Sequence, residues 1–288
     1  MESFRIPYQS TNKFSELVVD YVNENPKIKP FINHFPALDN FEQQIKEKAT
    51  HEINRDLLVS VLKDQNSIIL LSGRSKDNIQ SLKDNNTFTI TTGHQLCLFT
   101  GPLYFIYKII STINLTEQLI KKYPENNFVP ILWMATEDHD LQEVNHVNIF
   151  GKKIQWNSSS SGAVGRMSLE GITRCIQEMK DILRLGEKTS DLINMFKESY
   201  LHSNSLSEAT RRLVNALFGK YGLVIIDADE KELKRTFATV IKKDVIYKGF
   251  VNTIRETNNM LEESYGVQAF VRDVNFFMLS DKNRTLIK

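Results

Sequence analysis

Residues 87 to 135 constrain the fold of this chain more than any other stretch. Phe128-Val-Pro-Ile-Leu-Trp-Met-Ala135 is an apolar run of the length of a strand buried on both faces. Thr87 to Ile90 is a second strand-like run. Between them Thr100-Gly101-Pro102 is a turn that opens a strongly apolar helix, with Ile106, Ile109, Ile110 and Ile113 marking its buried face. Proline suits the first helical position, where its missing N–H has no partner to lose. Pro124, Asn126 and Asn127 break the chain before the second strand. A strand–helix–strand unit with a right-handed crossover is parallel, so both strands end on the same edge.

Each strand leads into polar residues. The first leads to a turn carrying Gly93, His94 and Gln95; the second to Thr136-Glu-Asp-His-Asp140, then Gln142, Glu143, Asn145 and His146. Ligands of open α/β sheets bind at carboxyl strand ends, and helix starts attract anions. The pattern is that of a nucleotide or carboxylate site.

Bulk properties exclude several classes. Of 288 residues, 36 are basic and 35 acidic, for a net charge of +1, which argues against a dominant nucleic-acid footprint. No apolar run approaches the roughly 20 residues of a membrane helix. The N-terminus lacks an apolar signal core. Cys97 and Cys175 form no metal-like spacing. The expectation is a cytoplasmic protein with no membrane or nucleic-acid partner and no permanently bound metal.

The expected organisation is a single Rossmann-like domain. Residues 1–87 form a helical layer on the sheet, with Phe14, Leu17, Val18 and Tyr21, and then Ile53, Leu57, Leu58, Val61 and Leu62, at helical spacing. Residues 88–150 are the first strand–helix–strand unit. Residues 151–220 are a mostly helical insertion, using Leu183, Leu185, Leu192, Ile193, Met195 and Phe196. Residues 221–288 return to the sheet, first through Gly222-Leu-Val-Ile-Ile-Asp227, whose Asp227 joins the ligand edge, then through strands at 268–271, 276–279 and 285–287. The chain stops just after the last of these with no closing element, so it is read as truncated.

Two readings fit each polar cluster. His94 either contacts a phosphate or carboxylate, protonated or donating through one ring nitrogen, or it caps the loop backbone. Glu137, Asp138 and Asp140 repel one another unless a cation intervenes: a metal, an amine or a lysine such as Lys108. Otherwise they are a solvated acidic loop. His139 and His146 lack the spacing of a zinc helix. Cys97, without an evident base, reads as a small buried hydrophobe.

Several strings together resemble one family: Thr92-Gly-His-Gln95, Phe99-Thr-Gly-Pro-Leu-Tyr104, Lys108, Trp133, Glu137-Asp-His-Asp140, Asn145-His146, Gly165-Arg166, Gly222 to Asp227, Glu232-Leu-Lys234, Gln268, Phe276-Phe277 and Arg284. The family is that of the bacillithiol-biosynthesis cysteine-adding enzymes, the cysteine ligases BshC. The resemblance runs from about Ile6 to the last residue. It implies a Rossmann-like core related to class I aminoacyl-tRNA synthetases, in a protein roughly twice this long whose later coiled coil carries homodimer contacts. The present chain is then its N-terminal portion, without the coiled coil, and is not competent as a ligase alone.

The implied reaction joins L-cysteine to the amine of glucosaminyl-malate, with ATP as co-substrate accompanied by Mg2+. A carboxylate does not condense with an ammonium in water, so activation as a cysteinyl-adenylate is implied. In that scheme Gly93 lets backbone approach a phosphate. His94, Gln95 and the amides near Thr100 and Gly101 stabilise developing negative charge. Tyr104, Lys108, Trp133, Asn145 and His146 belong to the binding set, Lys108 lying about two turns inside the helix. Glu137, Asp138 and Asp140 hold ammonium groups, and one of them or His139 takes the proton that the attacking amine loses. Arg166 is the candidate for a malate carboxylate. The resemblance carries no role for Cys97. The rival readings are a non-catalytic nucleotide-binding or scaffold protein of synthetase-like fold, and an RNA-related paralogue, which the balanced charge disfavours.

Overall fold

The structure, a computed structural model, describes residues 4–183 and 186–287, and the expected apolar position Leu185 lies outside them. The chain divides into two compact units. One comprises residues 1–51, 240–276 and 287–288; the other, which carries every candidate site residue, comprises 52–239 and 277–286.

The second unit is built on a parallel sheet of three strands in the order β1 (Thr87–His94), β2 (Asn127–Met134) and β5 (Val224–Asp227). Two short strands, β3 (His146–Ile149) and β4 (Lys152–Gln155), form an antiparallel hairpin. A further hairpin pairs β6 (Phe277–Leu279) with β7 (Arg284–Leu286). In chain order the helices used below are α1 (Arg55–Gln65), α2 (Gly73–Ser81), α3 (Leu103–Lys122), α4 (Leu141–Val144), α5 (Ile172–Leu183), α6 (Glu187–Tyr200), α7 (Leu206–Phe218) and α8 (Lys231–Thr236).

The unbroken apolar run of β2 has a physical cause. Side chains alternate between the faces of a strand. Val129 and Ile131 pack with Val224 and Ile226 against Val59 and Leu62 of α1 and Ile79 of α2. Leu132 and Met134 face the other way, into a core with Ile109 and Ile113 of α3 and Met179, Phe196 and Leu213 of the insertion helices. With both faces covered, no polar position is tolerated in the middle of β2.

Polar side chains from the covering helices satisfy strand backbone that the core would otherwise strand without partners. Arg55 donates to Leu82 O at 2.9 Å and to Thr87 O at 3.2 Å. Asn66 Nδ2 and Arg211 Nη1 both donate to Ile225 O, at 3.2 and 2.8 Å. Arg211 is almost wholly buried, and desolvation pulls its guanidinium down to about 10 despite the charge of Asp227.

Several expectations are corrected. Only residues 52–87 of the expected first layer belong to the sheet-bearing unit; residues 1–51 belong to the other. Of residues 221–288, among the described residues, only β5 joins the main sheet. Residues 268–271 form no strand, and β6 and β7 pair with each other instead. In α3 Ile109 and Ile113 are buried as expected, and the stripe continues through Phe105, Thr112, Thr116 and Leu119, whereas Ile110 is 38% exposed. Pro102 is the residue before the helix, not its first.

In the other unit, buried carboxylates bridge residues distant in sequence. Asp20 accepts from Asn25 Nδ2 at 2.9 Å and from Tyr265 Oη at 2.8 Å. Asp244, fully buried, accepts from Asn275 N at 2.6 Å and Asn275 Nδ2 at 3.2 Å.

Candidate active site at the strand ends

β1 runs to His94, four residues past Ile90, because Thr91, Thr92 and Gly93 stay in register with Ile131, Leu132 and Trp133. His94, Met134 and Asp227 thus form one row at the carboxyl ends of three parallel strands. The Ala135 N–H donates to His94 O at 3.0 Å and prolongs the contact by one residue.

His94 lies inside this edge. It is 8% exposed and packs against the rings of Tyr104 and Phe105, with centroids 5.1 and 4.9 Å away. Its Nδ1 sits 2.8 Å from Gln95 O, a carbonyl that can only accept, so Nδ1 carries the proton. Burial pulls the imidazole below its ordinary value, and the charge of Lys108 acts in the same sense. The ring is neutral near pH 7, and its Nδ1 proton serves the loop backbone.

Gln95 reaches outward. Its Nε2 donates to Asp138 Oδ2 at 2.7 Å and to Glu143 Oε2 at 2.6 Å, one amide bridging two carboxylates across the β1–β2 edge. Asp138 Oδ1 also accepts from His139 N at 2.8 Å. Burial pushes this carboxyl up, but the Gln95 amide, the backbone N–H groups of His139 and Asp140 and the charge of Arg284 outweigh it and hold it below the carboxylate range. Asp138 is therefore an anion at pH 7. His139 is exposed, with Nδ1 3.6 Å from Asp138 Oδ1.

The remaining acidic residues have separate partners. Glu137 pairs with Lys234 of α8 at 2.6 Å. Asp140 caps α4, accepting from Gln142 N at 3.1 Å and Glu143 N at 3.3 Å. Among the described residues no group of three or more His, Cys, Asp or Glu is disposed to hold a metal ion. The acidic string is thus divided: Asp138 alone of its three carboxylates is aimed at Gln95.

A second network ties β2 to β5. Thr136 Oγ1 donates to Asp227 Oδ1. Asp229 N donates to the same oxygen at 2.9 Å. The Asp229 carboxylate receives Arg166 through Nε at 2.5 Å and Nη2 at 2.8 Å, and Lys234 Nζ at 2.6 Å. Arg166, expected to meet a substrate carboxylate, is instead engaged by this internal one. Asp227 is tied into the same strand-end structure through Thr136, Asp229 and Gln65, whose Oε1 accepts from Asp227 N at 2.9 Å. Gly165 must lack a side chain here, since a Cβ would lie 2.5 Å from Thr136 Cβ.

A cleft of about 660 Å³ opens beside Gln95, lined also by Cys97, Thr100 to Tyr104, Glu143 and His146. Its floor is a strained turn: Phe99, Thr100 and Gly101 have φ of 51°, 76° and 59°. Phe99 holds the turn by packing on Phe196 and Tyr200, while its N–H donates to Tyr200 Oη at 2.9 Å. The amides expected to stabilise developing charge are already used: Thr100 N donates to Cys97 O at 3.2 Å and Gly101 N to Leu98 O at 2.8 Å. A Cβ on Gly101 would lie 2.4 Å from Cys97 Cβ. Gly101→Ala therefore combines a clash with a positive-φ penalty and should destabilise the protein by roughly 2–4 kcal/mol. Chemical denaturation measures it; a loss under about 0.5 kcal/mol would contradict the rigid turn.

The other candidates are placed as follows. Lys108 Nζ donates to Gly93 O at 3.2 Å and lies 5.5 Å from the Tyr104 ring, with no ion pair among the described residues. Gly93 has ordinary φ, and a Cβ would meet nothing nearer than 3.7 Å, so the fold itself does not demand glycine. Trp133, in register with Gly93, is 45% exposed. His146 Nδ1 donates to Gln142 O at 3.1 Å, which leaves Nε2 as an acceptor. Asn145 is 5% exposed, with Oδ1 buried and without a hydrogen-bond donor. Cys97 has its thiol pushed up to about 11 by burial and by Glu143, which fits a buried hydrophobe. Asp229 and Lys234 were not foreseen as site residues; the signal was available in Asp229, two positions beyond the strand-ending Asp227.

A parallel sheet whose three strand ends converge on polar side chains defines a Rossmann-like α/β domain with its site at the carboxyl edge. The family model described as "Bacillithiol biosynthesis BshC, N-terminal Rossmann-like domain" matches residues 1–288. The chain belongs to that family. It is 49% identical over 288 residues to a protein of Flavobacterium johnsoniae named "Putative cysteine ligase BshC", covering 98% of this chain and 54% of that one. It is 28% identical over 288 residues to a protein of the same name from Bacillus anthracis, covering 94% of this chain and 53% of that one. The chain thus spans about half the length of the curated relatives it matches. No helix among the described residues is long and apolar enough to cross a membrane.

Proposed function

We propose that this chain carries the strand-end site of a ligase that joins L-cysteine, through its carboxylate, to the amine of glucosaminyl-malate in the last step of bacillithiol synthesis. The observation that carries the reading is the Gln95 amide bridging Asp138 and Glu143. It fixes a carboxylate that stays ionised at the edge where a Rossmann-like sheet receives ligands. Such an anion suits an ammonium group. A carboxyl held below its usual range is a poor base, so Asp138 orients the amine and the adjacent His139 takes its proton.

ATP is the proposed source of activation, accompanied by Mg2+. The cysteine carboxylate attacks the α-phosphorus, a C–O–P bond forms and pyrophosphate leaves. The sugar amine then attacks the acyl carbon, the C–N bond forms and AMP leaves. The donors that fit a phosphate are the first-turn N–H groups of α3, Leu103 and Tyr104, which line the cleft beside Gln95, and Lys108 one turn further along the helix, outside that lining. A homodimer of the full-length protein belongs to the same proposal.

The test is exchange of labelled pyrophosphate into ATP by the full-length enzyme, with and without cysteine. Cysteine-dependent exchange is expected. Tight nucleotide binding without exchange, and without amide product on adding the acceptor, would favour a non-catalytic binding protein.

A further inference from the structure

Three cationic side chains surround the acidic loop that follows β2, and they differ in one respect. Arg166 is held by both oxygens of Asp229. Lys234 lies between Asp229 and Glu137, 2.6 Å from each. Among the described residues Arg284 has no carboxylate within ion-pair distance; one Nη lies 3.5 Å from His139 Nδ1.

Arg284 is nevertheless held in place. It sits on β7 opposite Leu279 of β6, one step from the Phe277–Leu286 pair, so the four side chains share one face of the hairpin. That face is partly buried, whereas Met278 and Thr285 on the other are exposed. The guanidinium carbon lies 4.1 Å from the centroid of the Phe277 ring. Stacking on a ring engages the face of a guanidinium and leaves its N–H fork in the plane, free for a carboxylate. The hairpin turn is closed by Ser280 N donating to Asn283 O at 2.8 Å. It packs so closely on the loop after β4 that a Cβ at Gly162 would lie 2.5 Å from Asp281 O. The hairpin thereby brings an open cationic fork to the side of Asp138 and His139.

We infer that Arg284 binds a carboxylate of the acceptor, so that Arg284 and Asp138 together recognise a ligand bearing both an ammonium group and a carboxylate. This rests on the proposed ligase reading and deepens it. Under that reading the acceptor amine lies at Asp138 and His139, and the malyl carboxylates extend toward β7. The pairing reassigns to Arg284 the role expected of Arg166. It also predicts that Arg284 sets the preference for a malyl aglycone.

The experiment compares wild-type, Arg284→Ala and Arg284→Lys full-length enzymes on two acceptors, glucosaminyl-malate and methyl glucosaminide, which keeps the amine and lacks the carboxylates. Removing a charge-assisted pair should lower the preference for the malyl acceptor on the order of 10- to 100-fold in Arg284→Ala. The change should appear in KM for that acceptor and not in KM for cysteine, and Arg284→Lys should recover part of it. Equal losses on both acceptors would assign Arg284 a structural role and overturn the inference. A raised KM for cysteine alone would overturn it by placing the amino-acid carboxylate there instead. No product from the wild-type enzyme with either acceptor would overturn the ligase reading and this inference together.

Discussion

Asp138→Asn should, under the proposed ligase reading, lower turnover of the full-length protein by about 100-fold or more while the fold survives. The substitution keeps the shape and removes the charge. Asn Oδ1 can still accept from Gln95, but its amide then faces the His139 N–H, donor against donor. One hydrogen bond is lost, a cost of about 1 kcal/mol in stability. Under the proposed reading the larger loss is functional, because an ammonium placed at Asp138 would meet a neutral group. Rate and thermal unfolding measured on the same preparation separate the two effects. A variant that loses folding and activity in parallel would make Asp138 a structural residue of the loop.

Asp229→Asn should act chiefly on stability, and in a pH-dependent way. Asp229 joins Arg166 from the insertion to Lys234 of α8, and its side chain is 9% exposed. Breaking a fully buried pair costs about 3–5 kcal/mol. Arg166 and Lys234 remain within reach of water, at 45% and 37% exposure, so about 2 kcal/mol is expected after screening. The midpoint of thermal unfolding should then fall by roughly 4–8 °C. The pH dependence has a definite sign. Burial pushes the Asp229 carboxyl up, but hydrogen bonds and charge from Arg166 and Lys234 more than offset it, leaving it below its ordinary value. A lowered acid contributes stability that is fully present above its unfolded pKa and is lost as pH falls through the folded one. The difference between wild type and variant should be constant from neutral pH to about pH 5 and close progressively below it. A pH-independent difference would mean that the Asn side chain misfits for steric reasons.

The sheet was legible because its strands are covered on both sides. β2 and β5 are apolar without alternation, and the polar residues after them mark the edge. The end of β1 was less legible: the strand-like run ends at Ile90 and Gly93, His94 and Gln95 read as a turn, yet the backbone ladder with β2 carries the strand on to His94. The hairpin of β3 and β4 escaped notice because its two-residue turn is Phe150-Gly151, both at positive φ, in place of the usual Asn-Gly. Within the acidic string the residue types announced charge but not its division. Lys234 claims Glu137 from nearly a hundred positions away, and Asp140 turns back on its own helix. The first unit was hidden for a similar reason: Asp20 and Tyr265 meet across 245 positions, a pairing that no local pattern encodes. Arg166 illustrates the reverse error. Its type suited a substrate carboxylate, but the fold supplies Asp229 first.

Under the proposed function, this strand-end site serves a reaction in which the cysteine carboxylate is activated before the acceptor amine attacks. Full-length enzyme supplied with cysteine labelled with 18O in both carboxylate oxygens, unlabelled ATP and glucosaminyl-malate tests it directly by mass spectrometry. One labelled oxygen is expected in AMP and one in the amide carbonyl of the product, with both transfers suppressed in Asp138→Asn. Amide product accompanied by unlabelled AMP, or by label in inorganic phosphate, would contradict it.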